Sequence, residues 1–219
     1  MKPKSLRQSS IKCWEKCRAQ YFAQYILGIN LGEYEPALFN GTMVHAEIEK
    51  YHLGKMYDET IVAPYAEVIK PVVGEFVEER FEFVPDHLGE KLPVPVTGII
   101  DRVMPGEALY DLKTSSTSWS QRRADEDLQA TLYLYYWYQE HSELLPFTFV
   151  IYRKDWKPTS RFDQIQTVTT TRSVKDFDRL WLHMYKTLED ISNEEEWSCA
   201  CKNQEHSVWS NIPMATSRG

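Results

Sequence analysis

Residues 94–115 read VPVTGIIDRVMPGEALYDLKTS, two stretches rich in β-branched and apolar residues joined across a Pro-Gly pair. Such a pair between such stretches predicts an antiparallel hairpin, and a hairpin commits the surrounding chain to a sheet. Side chains alternate across a strand, so Asp111 and Lys113, two residues apart, share one face. Whether Asp101 joins them depends on the loop. With the two-residue loop Pro105-Gly106, Asp101 faces Tyr110 and the two aspartates fall on opposite faces. With Pro105-Gly106-Glu107 and a bulge, Met104 faces Ala108 and Asp101 lies across from Asp111, with Cβ atoms about 4.5–5.5 Å apart.

In the second register two like charges destabilise each other unless a cation or a proton joins them, and hard oxygen donors of this kind favour Mg²⁺ or Mn²⁺. Lys113 beside such an ion can orient a water and stabilise charge that develops on a phosphoryl oxygen. The plain alternative is a surface hairpin with an ordinary Asp–Lys pair.

Helical spacing of Ile11, Trp14, Cys17, Tyr21, Phe22, Tyr25 and Ile26 predicts a first helix, capped by Ser9 or Ser10 and ended by Gly28. Further helices are predicted over 37–51 and 59–73, and strands over 76–84, 94–104 and 109–113. A helix over 125–141, strands over 147–153 and 162–169, and a long helix over 173–191 complete the order ααα-βββ-α-ββ-α. That order predicts an α/β fold, a central mixed sheet flanked by helices. Residues 1–195 are expected to form one domain, with 196–219 as a tail lacking periodicity.

The 219 residues carry 42% hydrophobic and 26% charged side chains, which excludes a disordered or fibrous chain. A net charge of −7 argues against coating nucleic acid by bulk electrostatics, while it suits carboxylates gathered around divalent cations. Seven Trp, thirteen Tyr and nine Phe fit an aromatic core better than a row of base-stacking platforms. No apolar run approaches the roughly 20 residues that span a bilayer, and MKPKSLRQSS lacks the apolar stretch of a signal peptide. The expectation is a cytoplasmic protein without a membrane partner.

The hairpin has neighbours. Gly98-Ile99-Ile100-Asp101, then Asp111-Leu112-Lys113, then Gln129-Ala130-Thr131-Leu132-Tyr133, together with Gly41-Thr42-x-x-His45 and Ser9-Ser10-Ile11 leading to Trp14 and Cys17-Arg18, resemble the RecB-like branch of the PD-(D/E)XK nuclease superfamily. The resemblance covers about residues 9 to 135 and implies a restriction-endonuclease-like core. It implies His45, Asp101, Asp111 and the Leu112 carbonyl as metal ligands, Lys113 as the catalytic lysine, and Gln129 with Tyr133 completing the site. Gln129 and Tyr133, four apart, share one helix face. Read by itself, His45 between Val44 and Ile48 fits a hydrogen-bonded core histidine, and Glu49 fits a solvated carboxylate better than a support for His45.

The same resemblance implies a divalent-metal-dependent DNA nuclease, an exonuclease of recombination, repair or CRISPR-associated processing, acting on single strands or DNA ends. A chain of this length leaves a helicase or recombination partner to be separate, and an oligomer is open. A nucleic-acid-binding module that keeps the fold without turnover and an RNA-directed nuclease are the alternatives. Thr114 to Arg123, rich in hydroxyls and with two arginines, suits a nucleic-acid backbone, with Trp119 available to stack on an unpaired base; a solvated loop is the other reading. Lys12, Lys16 and Arg18 offer a second basic patch.

Four cysteines in a reducing compartment suggest thiols or metal ligands. By the resemblance, Cys17 matches the first ligand of an iron–sulfur cluster, with Cys199 and Cys201 in the region of the others. Their C-x-C spacing is tighter than the family's pair, and no third C-terminal cysteine follows; Cys13, one helical turn from Cys17 on the same face, is a candidate fourth ligand of a 4Fe-4S cluster. Zinc held by Cys17, Cys199, Cys201 and His206, or free thiols, remain alternatives.

Overall fold

The computed structural model describes residues 3–29, 36–69, 76–153, 165–195 and 197. The chain forms two compact units, the first of Met1–Gly32, Glu82–Thr97 and Asp178–Gly219, the second of Glu33–Phe81 and Gly98–Phe177. A five-stranded sheet runs in the order β1-β4-β5-β6-β7, with β1 Phe76–Phe83, β4 Val96–Met104, β5 Ala108–Ser115, β6 Phe147–Arg153 and β7 Ile165–Thr170. The pairs β4–β5 and β6–β7 are antiparallel, while β5–β6 is parallel, so the sheet is mixed. A two-stranded ribbon, β2 Asp86–His87 with β3 Glu90–Lys91, stands apart.

Alternation along the central strands decides which face each helix covers. Leu112, Val150 and Tyr152 pack with Val44 and Ile48 of helix α3 (Pro36–His52) and with Val62 and Tyr65 of α4 (Glu59–Ala66). Phe147 and Phe149 point the other way, toward Tyr133 of α6 (Leu128–His141) and Trp119. The parallel β5–β6 step is bridged by α5 (Gln121–Asp125) and α6, a crossover of the kind parallel strands require. The helix expected over 125–141 begins at Leu128 instead, with the short α5 before it. Asp127 Oδ1 accepts the N–H groups of Gln129 and Ala130, at 2.7 and 3.2 Å, and so starts α6 afresh.

The first unit begins with α1 (Gln8–Lys16), followed by α2 (Arg18–Tyr21), which runs on into a π turn over Phe22–Ile26. The single helix expected there breaks at Cys17, whose backbone is extended and whose thiol caps the second segment by accepting Gln20 N–H at 3.4 Å. Ser9 and Ser10 do not cap α1 from outside. Ser10 lies within it and its Oγ accepts Arg7 N–H at 2.9 Å. Trp14, Tyr21, Phe22, Ile191 and Trp197 form an aromatic cluster in this unit. Helix α7 spans Val174–Asn193, and within the first unit Trp181 donates its indole N–H to the Pro85 carbonyl at 3.3 Å. The helix expected over 59–73 stops at Ala66, shortly after Pro64, which has no N–H to continue the ladder. Among the described residues no helix is long and apolar enough to cross a membrane.

Gly98 is required by packing. A Cβ placed there would lie 2.4 Å from Phe81 Cζ and 2.9 Å from Tyr133 Cε1, and Phe81 is itself stacked on Tyr136 at 4.2 Å. Gly98→Ala is therefore expected to destabilise the protein by about 1–3 kcal/mol, as overpacking does, and to lower the melting temperature by several degrees in a thermal melt. An unchanged melt would show that the rings yield freely.

Candidate metal centre

The hairpin takes the register that brings its carboxylates together. Met104 pairs with Ala108 and Arg102 with Tyr110, so the loop is Pro105-Gly106-Glu107. Glu107 N–H closes it on the Met104 carbonyl at 3.0 Å, and Gly106 adopts φ +74°, a conformation costly for residues with a Cβ. One step beyond the Arg102–Tyr110 pair are Asp101 and Asp111. Asp101 Oδ2 reaches across to accept Leu112 N–H at 2.6 Å.

Asp111, Lys113 and Gln129 form a closed ring. Lys113 Nζ lies 2.6 Å from Asp111 Oδ2 and donates to Gln129 Oε1 at 2.8 Å, while Gln129 Nε2 donates to Asp111 Oδ1. The Asp127 cap places Gln129 in the first turn of α6, where it meets both residues. Asp111 is only 1% exposed, and its Oδ2 faces the Lys113 ammonium. Burial pulls the Lys113 pKa down, but the charges of Asp111 and Asp101 pull it up and win, so the side chain stays an ammonium. Burial and then the Asp111 charge push the Asp101 carboxyl well above the usual carboxylate range. A divalent ion beside the pair would favour the ionised carboxylates.

Helix α3 brings His45 to the same place. A Cβ at Gly41 would lie 3.0 Å from Thr114 Oγ1, so the glycine lets α3 approach β5 closely, and His45 follows one turn later. His45 Nδ1 is 3.7 Å from Asp101 Oδ2, and the ring is within hydrogen-bond reach of the Leu112 carbonyl. Burial lowers its pKa, opposed by Asp111 and helped by Lys113, which favours the neutral, metal-binding imidazole. His45, Asp101, Asp111 and Leu112 all line one cleft with Lys113 and Gln129. Tyr133 stands behind them, 7% exposed, with its hydroxyl near the Ile99 backbone and Gln129.

Two expectations change. Trp119 is buried against Phe149 and Gln166 holds its backbone at both ends, while Arg123 covers its ring at 3.9 Å. Its apolar area goes into the core, so it is not a platform for a base. Glu49 lines the cleft with His45. Glu78, one of several charged residues in β1, carries no signal in the sequence. Its φ of +53° is left-handed within the strand, and ligand atoms of His45, Glu78 and Asp101 lie within 4.8 Å of one another. The cysteines belong to the first unit. Cys13 and Cys17 are buried, burial and then the Cys17 charge push the Cys13 thiol up to about 11, and Cys199, Cys201 and His206 lie outside the described residues. Arg18 pairs with Glu194 and lies over Trp14.

Beneath Asp101, on the α3–α4 face, His52 Nε2 accepts from Tyr65 Oη at 2.7 Å and faces Arg102 Nη1 at 3.4 Å. Arg102 is 2% exposed and also faces the Tyr110 ring.

A mixed five-stranded sheet with helices on its faces, presenting paired carboxylates and a lysine from one hairpin, defines the restriction-endonuclease-like α/β class. The sequence pattern of the PD-(D/E)XK nuclease superfamily matches residues 57–203, about two thirds of the chain, and the protein belongs to that superfamily of metal-dependent nucleases. The match begins after His45, whose place in the centre rests on geometry and on the RecB-like pattern around it. A protein from Eubacterium rectale with a provisional exonuclease assignment superposes with a TM-score of 0.60 at 13% identity, over 95% of this chain and 94% of that one. The alkaline exonuclease LHK-Exo from Laribacter hongkongensis gives 0.51 at 15%, over 87% and 89%, and the protein SSO0001 gives 0.51 at 15%, over 97% and 88%. At these identities the likeness is one of fold. No curated protein matches in sequence.

The buried His52 sets a pH dependence. Burial and then Arg102 lower its pKa from 6.5 to about 4. Between those values the unfolded chain takes up a proton that the folded one refuses, so stability is intact above pH 6.5 and is lost as pH falls toward 4. Denaturant melts should show the wild type losing on the order of 1–2 kcal/mol relative to His52→Gln over that window, a figure discounted for partial exposure. A difference independent of pH would contradict a neutral buried His52.

Proposed function

We propose that the protein hydrolyses DNA phosphodiesters as an exonuclease with Mg²⁺ or Mn²⁺, acting on single strands or DNA ends. The observation that carries this reading is the hairpin register, which sets Asp101 and Asp111 on one face with the Lys113 ammonium beside them. Asp101, Asp111, His45 and the Leu112 carbonyl would hold the ion. A bound divalent cation supplies Lewis-acid polarisation of a phosphoryl oxygen and lowers the pKa of an attacking water.

The protein's own residues do the rest. Lys113, kept charged by its carboxylates, offers N–H donors to charge that develops on the phosphate and to the water that attacks it. Gln129 bridges Asp111 and Lys113, holding both at a fixed separation before substrate arrives. Tyr133 holds Gln129 from behind and keeps bulk water from that side. The name of LHK-Exo, an alkaline exonuclease of the same fold, supports the exonucleolytic reading.

Residues 1–195 would form the nuclease domain, with 196–219 as a tail. Cys13, Cys17, Cys199 and Cys201 would tie that tail to the first helix through a 4Fe-4S cluster; iron and zinc analysis of anaerobically purified protein separates this from zinc and from free thiols. A cytoplasmic location and a separate helicase or recombination partner fit this role, with oligomeric state open.

Labelled single- and double-stranded DNA, with RNA as a comparison, tests the activity in Mn²⁺. Wild type should cut DNA from its ends, chelation should abolish cutting, and Asp111→Ala and Lys113→Ala should each lower the rate by about 10²–10³ or more. Binding without cutting would assign a silent module instead, and preferential cutting of RNA would correct the substrate.

A further inference from the structure

Glu78 belongs to none of the motifs that point to the metal centre, yet it lies in it. Phe81 and Phe83 are buried at alternate positions of β1, and regular alternation would turn Glu78 away from the face Phe81 shares with Tyr133. The backbone at Glu78 breaks that alternation. With φ +53° it occupies the left-handed region, which a glutamate enters only where its surroundings hold it. The turn directs the carboxylate into the cleft that contains Asp101, Asp111, Lys113 and His45.

The donors there are of two kinds. One ligand atom each from His45, Glu78 and Asp101 lies within 4.8 Å of the others, a spacing that one cation about 2.1–2.4 Å from each can serve with slight closure. A histidine among carboxylates separates this cluster from a plain acidic patch. The fully buried Asp111 Oδ2 already faces one cation, the Lys113 ammonium at 2.6 Å, so the cleft is built to hold positive charge. Four carboxylates, Glu49, Glu78, Asp101 and Asp111, line the cleft with the single ammonium of Lys113, an excess of negative charge that a cation would offset.

We propose that Glu78 is a further ligand of the metal centre, taking the same divalent cation as His45 and Asp101 from the β1 side. The proposal rests on the metal-dependent reading above. It adds a third carboxylate to the centre and assigns the strained backbone of β1 to metal binding.

Mn²⁺ binding to the full-length protein, followed by calorimetry and by electron paramagnetic resonance, tests it without reference to activity. Glu78→Gln should weaken Mn²⁺ binding at least tenfold, while Glu79→Gln, its neighbour in the strand, binds as wild type. Glu78→Gly should raise the melting temperature of the metal-free protein, because glycine adopts this φ without strain, and should shrink the rise that Mn²⁺ produces in wild type. Unchanged Mn²⁺ affinity in Glu78→Gln, with affinity lost in Asp111→Asn, would overturn the role of Glu78 and leave the centre standing. Absence of Mn²⁺ binding by wild type would overturn both.

Discussion

Two carboxylates on facing strands of one hairpin repel each other, and their approach in a largely buried cleft is tolerable only with positive charge between or beside them. Lys113 supplies part of that charge from the same strand as Asp111. Burial and the Asp111 charge hold the Asp101 carboxyl well above the usual carboxylate range, a shift that a divalent cation beside the pair would oppose. The surrounding structure keeps these groups from relaxing apart. A three-residue loop fixes the register, Leu112 N–H anchors Asp101, and Gln129 clamps Asp111 to Lys113.

The elements around the hairpin position its chemistry at short range. Gly41 lets α3 close on β5, which brings His45 to the Leu112 carbonyl. Asp127 begins α6 where Gln129 can reach the strand, and Gly98 leaves room for Phe81 and Tyr133 behind the site. On the opposite face, Arg102, His52 and Tyr65 form a buried polar group whose histidine stays neutral. Neighbouring residues of β4 thus serve opposite purposes: Asp101 faces the cleft, and Arg102 anchors the strand to the helices.

Much of this is legible in the residues themselves. The strands stand close to where alternation and β-branched content put them, and Asp111 and Lys113 share a face by parity alone. Parity could not choose between the two loops, because that choice lies in Gly106 adopting φ +74° and in Glu107 closing on Met104. Helix ends were read less well: Cys17 interrupts an apparently continuous helical pattern and Asp127 starts α6 later than its pattern does, each capping a new segment with its own side chain. Trp119 carried a polar, hydroxyl-rich context that hid its burial against Phe149. Glu78 was illegible because its position depends on one backbone dihedral in a strand of repeated charges.

The central claim is that one cation touches both Asp101 and Asp111. Diffraction from Mn²⁺-soaked crystals, collected where manganese scatters anomalously, tests it most directly. The account predicts an anomalous peak about 2 Å from a carboxylate oxygen of each aspartate, lost in Asp111→Asn. A peak bound to only one of them, or none in the cleft under saturating Mn²⁺, would contradict it.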